Sequence, residues 1–432
     1  MPKFIINGGK PLAGTIEVKG AKNAATKILA ACLLTDEECS IENLPQIEDV
    51  FRMMEIMESM GVKIERQKSG KTIVRAKELN PGKMNYDLVC KMRSSILLMG
   101  ALIARREEFK IPPPGGCIIG ARSIDAHLNV LALLGAKIEQ KDDFYCLERN
   151  HLQGCEIVMP EISVTATENA IFGAVLAQGR TKIKCAAMEP HVQDLCYFLN
   201  KMGAKISGIG THCLVIDGVD KLSGASHYVI PDTIEMCTFI SLAAATRSEI
   251  KIKNVVPEFI DVELLRFKEA NVNFKINEMK EFPSGWGYKV ADLDVFPSVQ
   301  LKAVKKVHNM PYPGFAADSL SPFAVLMTQA DGISLIHDWM YEGRLKYIDE
   351  LNKMGANAVV CDPHRALITG PTPLYGKEIT SFDLRAGAAL IIAALVATGE
   401  TEIDNVYQVD RGYEKIEERL RGIGAEMKRI DN

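Results

Sequence analysis

The chain of 432 residues predicts an α/β protein of two domains, each built from three copies of one unit whose helices are buried. Length alone favours two domains, because a single core rarely grows beyond roughly 250–300 residues. Two recurring markers supply the rest. The first is a helix end that runs into a strand. It reads Met60-Gly61-Val62-Lys63-Ile64, Leu134-Gly135-Ala136-Lys137-Ile138 and Met202-Gly203-Ala204-Lys205-Ile206 in one half. In the other half it reads Ala270-Asn271-Val272-Asn273-Phe274, Met354-Gly355-Ala356-Asn357-Ala358 and Ile423-Gly424-Ala425-Glu426-Met427. Gly or Asn at this point suits the left-handed residue that stops a helix, and the alternation after it reads as a strand. The spacing is about 70 residues, longer than a solenoid period but read the same way.

The second marker precedes each of these ends. It is a helix of small and apolar residues, expected at Ala24–Leu34, Ser94–Ala104, Glu168–Ala177, Ile234–Ala245, Pro322–Gln329 and Ala386–Thr398. A helix apolar on most faces belongs in a packed interior. The unit therefore runs strand, buried helix, strand, amphipathic helix, strands.

Composition narrows the function. The net charge of −4 argues against bulk nucleic-acid binding and against an anionic membrane surface, so an anionic ligand must be held by a local cluster. The longest apolar stretches, such as Ala386–Thr398, are too short for a membrane span. The 11 cysteines contain no C-x-x-C pair, which fits a reducing cytoplasm and argues against a disulfide framework. The N-terminus lacks the shape of a signal peptide. The 8 histidines show no ligand spacing, so no metal site is expected, and His127 and His191 read as hydrogen-bonded structural residues.

One loop stands apart: Pro112-Pro113-Pro114-Gly115-Gly116-Cys117-Ile118-Ile119-Gly120-Ala121-Arg122. Prolines stiffen its approach, and glycines permit left-handed or close-approach backbone around a cysteine with an arginine five residues on. Nearby positive charge favours the thiolate and makes the thiol usable for proton transfer. The remaining chemistry-bearing residues cluster at the heads of the buried helices. They are Lys22 and Asn23, Arg93, Ser163-Val164-Thr165, Asp232, Asp318, and Asp383 with Arg385. Helix N-termini bind anions, and pseudo-symmetric units would bring such ends together. Plainer roles remain open for each: Asp232, Asp318 and Asp383 as N-caps, Arg411 as the partner of Asp410, Arg344 as a surface residue.

These segments resemble the enolpyruvyl transferase family from about Phe4 to the C-terminus. The most specific motifs are Gly20-Ala21-Lys22-Asn23-Ala24, Pro114-Gly115-Gly116-Cys117 through Arg122, Asp383-Leu384-Arg385 and Asp410-Arg411-Gly412-Tyr413. The resemblance implies a two-domain inside-out α/β barrel of βαβαββ-type repeats, with an active site in the cleft between the domains. One domain would span 22–230 and carry the Cys117 lid loop. The other would combine 1–21 with 231–432 and carry Asp318, Arg385 and Arg411. The implied reaction moves the enolpyruvyl group of phosphoenolpyruvate to the 3′-hydroxyl of UDP-N-acetylglucosamine by addition and elimination. This is the first committed step of peptidoglycan synthesis, which underlies cell-wall biogenesis, cell shape and division.

By the same resemblance Cys117 is the general acid and the site of fosfomycin alkylation, and Asp318 accepts a proton. Lys22, Arg93, Arg122, Arg411, Arg385 and Arg344 surround phosphoenolpyruvate, with Lys22 and Arg411 also catalytic. Asn23, Arg93, Arg122, Ser123, Ile124, Asp125, Ala126, Ser163, Val164, Thr165, Asp318 and Met340 contact the sugar nucleotide. No organic cofactor or metal is implied, and the expected state is a cytoplasmic monomer or weak homo-oligomer without nucleic-acid or membrane partners. The sequence departs from the family's pattern at Thr165, where glycine is common. It departs also at Glu161, Thr233, Gly343 and Ala316-Ala317. These changes leave two alternatives open: transfer to another acceptor such as shikimate 3-phosphate, or a non-catalytic sugar-nucleotide-binding paralogue.

Overall fold

The computed structural model describes residues 2–115, 123–282 and 287–431. The predicted unit is seen in full between residues 306 and 370. Strand Lys306–His308 leads into the buried helix Leu320–Met327 and the parallel strand Gly332–His337. The amphipathic helix Tyr347–Lys353 and the strand pair Asn357–Asp362 and Arg365–Gly370 follow. The strand order puts Arg365–Gly370 between the other two long strands, antiparallel to both. A helix that connects parallel neighbours must pack on one face of their sheet. Here that helix is the buried one, so the sheet lies outside it.

The described residues form six sheets. Five contain a parallel pair followed by antiparallel neighbours, as at Glu156–Val158 with Arg180–Lys184. The sixth, Glu108–Ile111, Phe144–Glu148 and Lys137–Lys141, has three antiparallel strands. None closes into a barrel among the described residues; the sheets are open and separate. The N-terminus completes two of them. Lys3–Asn7 inserts between Glu400–Asp404 and Glu426–Ile430, and Ala13–Glu17 pairs parallel with Glu249–Val255.

All six helix-stopping residues adopt the left-handed conformation expected of them. Gly61, Gly135, Gly203, Gly355 and Gly424 have φ of 97°, 102°, 102°, 105° and 99°, and Asn271 has 57°. Asn is among the few side chains that take this region at small cost, which fits the single replacement.

The buried helices fall at Lys22–Ala31, Leu97–Ile103, Val164–Ala174, Thr233–Ala245, Leu320–Met327 and Leu384–Val396. All six starts move by one to four residues from expectation, and the two largest shifts have separate causes. The third helix begins at Val164 because Thr167, Glu168 and Asn169 are as buried as their apolar neighbours, whereas an apolar pattern begins only after them. The second is preceded by a 3₁₀ turn, Arg93–Ile96, so the segment is helical in two registers.

The chain divides into two compact units. One takes Met1–Lys19 and Pro231–Asn432, and the other the described residues between 20 and 230. Gly20, at the first crossing, has no room for a side chain: a Cβ would lie 1.9 Å from the Asn43 carbonyl oxygen. No helix among the described residues is long and apolar enough to cross a membrane, and the described cysteines are all free.

Candidate active site

In the unit holding the C-terminal half, the heads of three buried helices meet. Asp232 caps the helix Thr233–Ala245, accepting from Ile234 N at 2.8 Å and Glu235 N at 3.2 Å. Asp383 caps Leu384–Val396 in the same way, accepting from Arg385 N at 2.8 Å and Ala386 N at 3.0 Å. Both therefore play the plainer role. Asp318 does not. It lies in the 3₁₀ turn Ala317–Ser319, and its carboxylate is gripped from two sides. Arg344 Nη2 donates to Oδ1 at 2.6 Å, and Arg385 Nε donates to Oδ2 at 3.0 Å.

The guanidinium of Arg385 also approaches Asp232 Oδ2 at 4.0 Å and lies 5.3 Å from the Tyr413 ring centroid. Tyr413 is fixed in turn by a 2.9 Å hydrogen bond to Thr238 on the Thr233–Ala245 helix. Arg344 stacks 4.5 Å over Tyr341, close to Met340 in sequence. Its Nε and Nη1 are buried with no hydrogen-bond partner among the described residues. A guanidinium carries five donors, and buried donors are normally satisfied, so this cluster has capacity for a further acceptor.

The electrostatics follow from that geometry. Burial by itself pushes the Asp318 carboxyl up, but the Arg344 and Arg385 charges and hydrogen bonds outweigh it. They hold the group well below the usual carboxylate range. Glu263, only 3% exposed, accepts from Ala316 N at 2.7 Å and so braces the turn that carries Asp318. Burial raises its pKa to about 7.

Arg411 is nearly buried and donates from Nη1 to Gln408 at 3.1 Å. Asp410 accepts from Arg429 through bonds of 2.9 and 2.8 Å.

The other unit carries the remaining described site residues. Lys22 opens its helix and meets the buried Asp49 at 2.7 Å; Asn23 follows it. Arg93 opens the 3₁₀ turn and donates to the Ser123 carbonyl at 3.1 Å, while Ser123 Oγ accepts from Asp125 N at 2.9 Å. Ile124, Asp125 and Ala126 thus form the start of the helix Asp125–Leu133. Ser163 and Val164 begin the third buried helix.

Thr165 turns its hydroxyl onto His127 Nε2 at 2.8 Å. Burial and the nearby Arg93 hold the His127 pKa down to about 4, so the ring is neutral at pH 7. Thr165→Ala removes this hydroxyl. It is expected to lower stability by about 1–2 kcal/mol in urea denaturation at pH 7, and an unchanged midpoint would show that the bond contributes nothing.

Cys117 and Arg122 lie outside the described residues. Gly115, just before them, sits so close to Cys90 that a Cβ would come within 1.5 Å of its carbonyl oxygen. That is the close approach expected of a glycine there. Asp49 and Glu263 were not singled out by sequence, and Tyr413 entered only as the last residue of the Asp410-Arg411-Gly412-Tyr413 motif. Asp49 looks like an ordinary acidic residue in a first helical turn, and nothing local marks Glu263.

A family model described as EPSP synthase (3-phosphoshikimate 1-carboxyvinyltransferase) matches residues 6–420. The UDP-N-acetylglucosamine 1-carboxyvinyltransferase of Treponema denticola is 43% identical, covering 99% of both chains. The protein of the same name from Koribacter versatilis is 42% identical, covering 100% of this chain and 97% of its own. Among solved structures, the enolpyruvyl transferase NikO from Streptomyces tendae superposes with a TM-score of 0.87 at 24% identity, over 99% of each chain. An EPSP synthase from Acinetobacter baumannii gives 0.74 at 18% over the whole of both chains, a likeness of fold. Matched along nearly all of its length by the family model and by relatives above 40% identity, the chain belongs to the EPSP synthase family of enolpyruvyl (1-carboxyvinyl) transferases.

Proposed function

We propose that this protein transfers the enolpyruvyl group of phosphoenolpyruvate to the 3′-hydroxyl of UDP-N-acetylglucosamine and releases phosphate. The observation that carries the reading is the Asp318 carboxylate held between two guanidiniums, with donors of Arg344 still unused. A trianionic donor needs such a cluster in a protein of net charge −4. Charge-assisted, partly bidentate contacts also stabilise charge that develops in the adduct. Relatives bearing this activity in their names at 43% and 42% identity favour the same acceptor.

The chemistry assigns the parts. The sugar oxygen attacks C2 of phosphoenolpyruvate while Cys117 delivers a proton to C3, giving a tetrahedral adduct. Asp318 takes the hydroxyl proton. The Cys117 thiolate then takes a C3 proton as phosphate is expelled, and the proton held by Asp318 leaves with the phosphate. Lys22, Arg93, Arg122, Arg344, Arg385 and Arg411 hold the donor. Asn23, residues 123–126, Ser163, Val164, Thr165, Asp318 and Met340 face the sugar nucleotide. The domains that carry these residues would be 22–230, with the Cys117 loop, and 1–21 with 231–432. The free thiols suit a cytoplasmic setting.

Resting, Asp318 is a weak base because two cations share it. Phosphoenolpyruvate that engages Arg344 and Arg385 withdraws their charge from the carboxylate and lifts its pKa towards a useful range.

The test is phosphate release from phosphoenolpyruvate. Release is expected with UDP-N-acetylglucosamine and not with shikimate 3-phosphate, and Cys117→Ser is expected to lower it about 10²–10⁴-fold. Release with shikimate 3-phosphate alone would assign the other acceptor. Sugar-nucleotide binding with no turnover would reject the catalytic reading.

A further inference from the structure

Asn169 sits in the middle of the buried helix Val164–Ala174 and is completely buried. A polar side chain in that position must satisfy its donors and acceptor locally. It does so on a different helix. Its Nδ2 donates to the Ile96 carbonyl at 3.1 Å, and its Oδ1 accepts from Gly100 N at 2.9 Å. These two backbone groups are four residues apart and span the first α-turn after the 3₁₀ segment Arg93–Ile96. One carboxamide therefore grips both ends of the junction where the helix changes register.

The contact is built on a glycine. A Cβ on Gly100 would lie 2.6 Å from Asn169 Oδ1, 2.7 Å from its carbonyl oxygen and 2.9 Å from its Cα. Any side chain at Gly100 would force the helices apart. The 3₁₀ turn held this way begins with Arg93, which reaches to the Ser123 carbonyl. Five residues before Asn169, the gripping helix starts at Val164, beside Ser163 and Thr165.

We propose that Asn169 is a positioning residue: it locks the turn carrying Arg93 to the helix end carrying Ser163–Thr165, and so fixes Arg93 for the phosphoenolpyruvate anion. The proposal rests on the reading of Arg93 as a donor-binding residue. A carboxamide suits the task because it offers a donor and an acceptor on one rigid plane, matched to a carbonyl and an N–H one turn apart. Asp, Leu or Ser supplies at most part of that set at pH 7.

The test is a double-mutant cycle read by phosphate release with UDP-N-acetylglucosamine. Asn169→Ala is expected to raise the KM for phosphoenolpyruvate about tenfold with kcat changed by less than about twofold. In an Arg93→Ala background the same change is expected to add nothing, because the residue it positions is gone. Loss of stability alone would be equal in both backgrounds. Asn169→Asp serves if the alanine variant folds poorly. Its buried carboxyl, when protonated, regains a donor for Ile96, so its KM is expected to approach the parent's at low pH and to rise with pH beyond the parent's own profile. An unchanged KM in Asn169→Ala overturns the proposal, as does an equal rise with and without Arg93, or an Asn169→Asp KM that tracks the parent at every pH. A parent without turnover would instead overturn the functional reading, so the two failures are distinct.

Discussion

Asp318→Asn is expected to lower kcat by about 10²–10⁴-fold, the range that a positioned proton acceptor contributes, while the KM for phosphoenolpyruvate holds or falls. The split follows from the geometry. The amide cannot take the hydroxyl proton, so the chemical step fails. It also removes the negative charge that Arg344 and Arg385 share at 2.6 and 3.0 Å, leaving both guanidiniums for the substrate anion. Without ligand those cations lose their partner in a largely buried site, where Arg385 is 4% exposed. Removing one member of such a group costs about 3–5 kcal/mol, less here because the amide oxygen can still accept. Phosphoenolpyruvate is therefore expected to raise the Tm of the variant more than that of the parent. Steady-state kinetics and thermal unfolding with and without phosphoenolpyruvate read both effects. A kcat within tenfold of the parent, or a smaller ligand-induced Tm gain, would mean that Asp318 is structural.

The repeat was legible because it is written in backbone chemistry. A left-handed helix stop admits Gly or Asn and little else, and six of them in order expose the unit. Helix capping was equally local, so a cap could be offered for Asp232 and Asp383 from the residues beside them, and the structure shows both. Asp318 looked like a third cap. What distinguishes it is contact with residues 26 and 67 positions away, and only the topology brings those together. The same limit hid Asn169 and Glu168. Pattern reading counts a polar residue as solvent-facing, whereas a buried helix can bury one, satisfied across the gap as Asn169 is or without a hydrogen bond as Glu168 is. Asp49 was hidden by a plausible alternative, since acidic residues in a first helical turn are ordinary. The Cys117 loop was the reverse case, conspicuous in sequence and outside the described residues. The relatives' names, more than any geometry, bear on the acceptor. The altered Thr165 makes a 2.8 Å bond to His127, so its hydroxyl has a partner within the protein.

Glu168→Gln is expected to make the protein more stable at alkaline pH, with the gain vanishing as the solution is acidified. The carboxyl is completely buried, and neither oxygen has a hydrogen-bond partner among the described residues. Burial is the main cause that raises its pKa to about 8; Lys27 opposes the rise and Glu189 adds to it. The Lys27 Nζ stands 4.0 Å away, longer than the 2.7–2.9 Å of a charge-assisted bond, which fits a neutral acid rather than a closed ion pair. In the unfolded chain the group ionises near pH 4.5. Between that pH and about 8 the folded state alone retains the proton, so stability falls as pH rises, by about 4–5 kcal/mol over the whole window. Gln keeps the shape and never ionises. Its margin over the parent is expected to grow by about 2–4 kcal/mol between pH 5 and pH 8 in urea denaturation, since relaxation around the ionised carboxyl offsets part of the cost. A salt bridge predicts the opposite sign, because removing one partner of a buried pair destabilises by about 3–5 kcal/mol. Parallel pH profiles or a less stable variant at pH 8 would therefore establish an ionised Glu168 paired with Lys27. The distinction reaches the site, because Lys27 lies on the helix headed by Lys22 and Asn23, and Glu168 on the helix headed by Val164 and Thr165. A neutral Glu168 joins those helices by packing, and Gln then preserves both the contact and the KM for phosphoenolpyruvate.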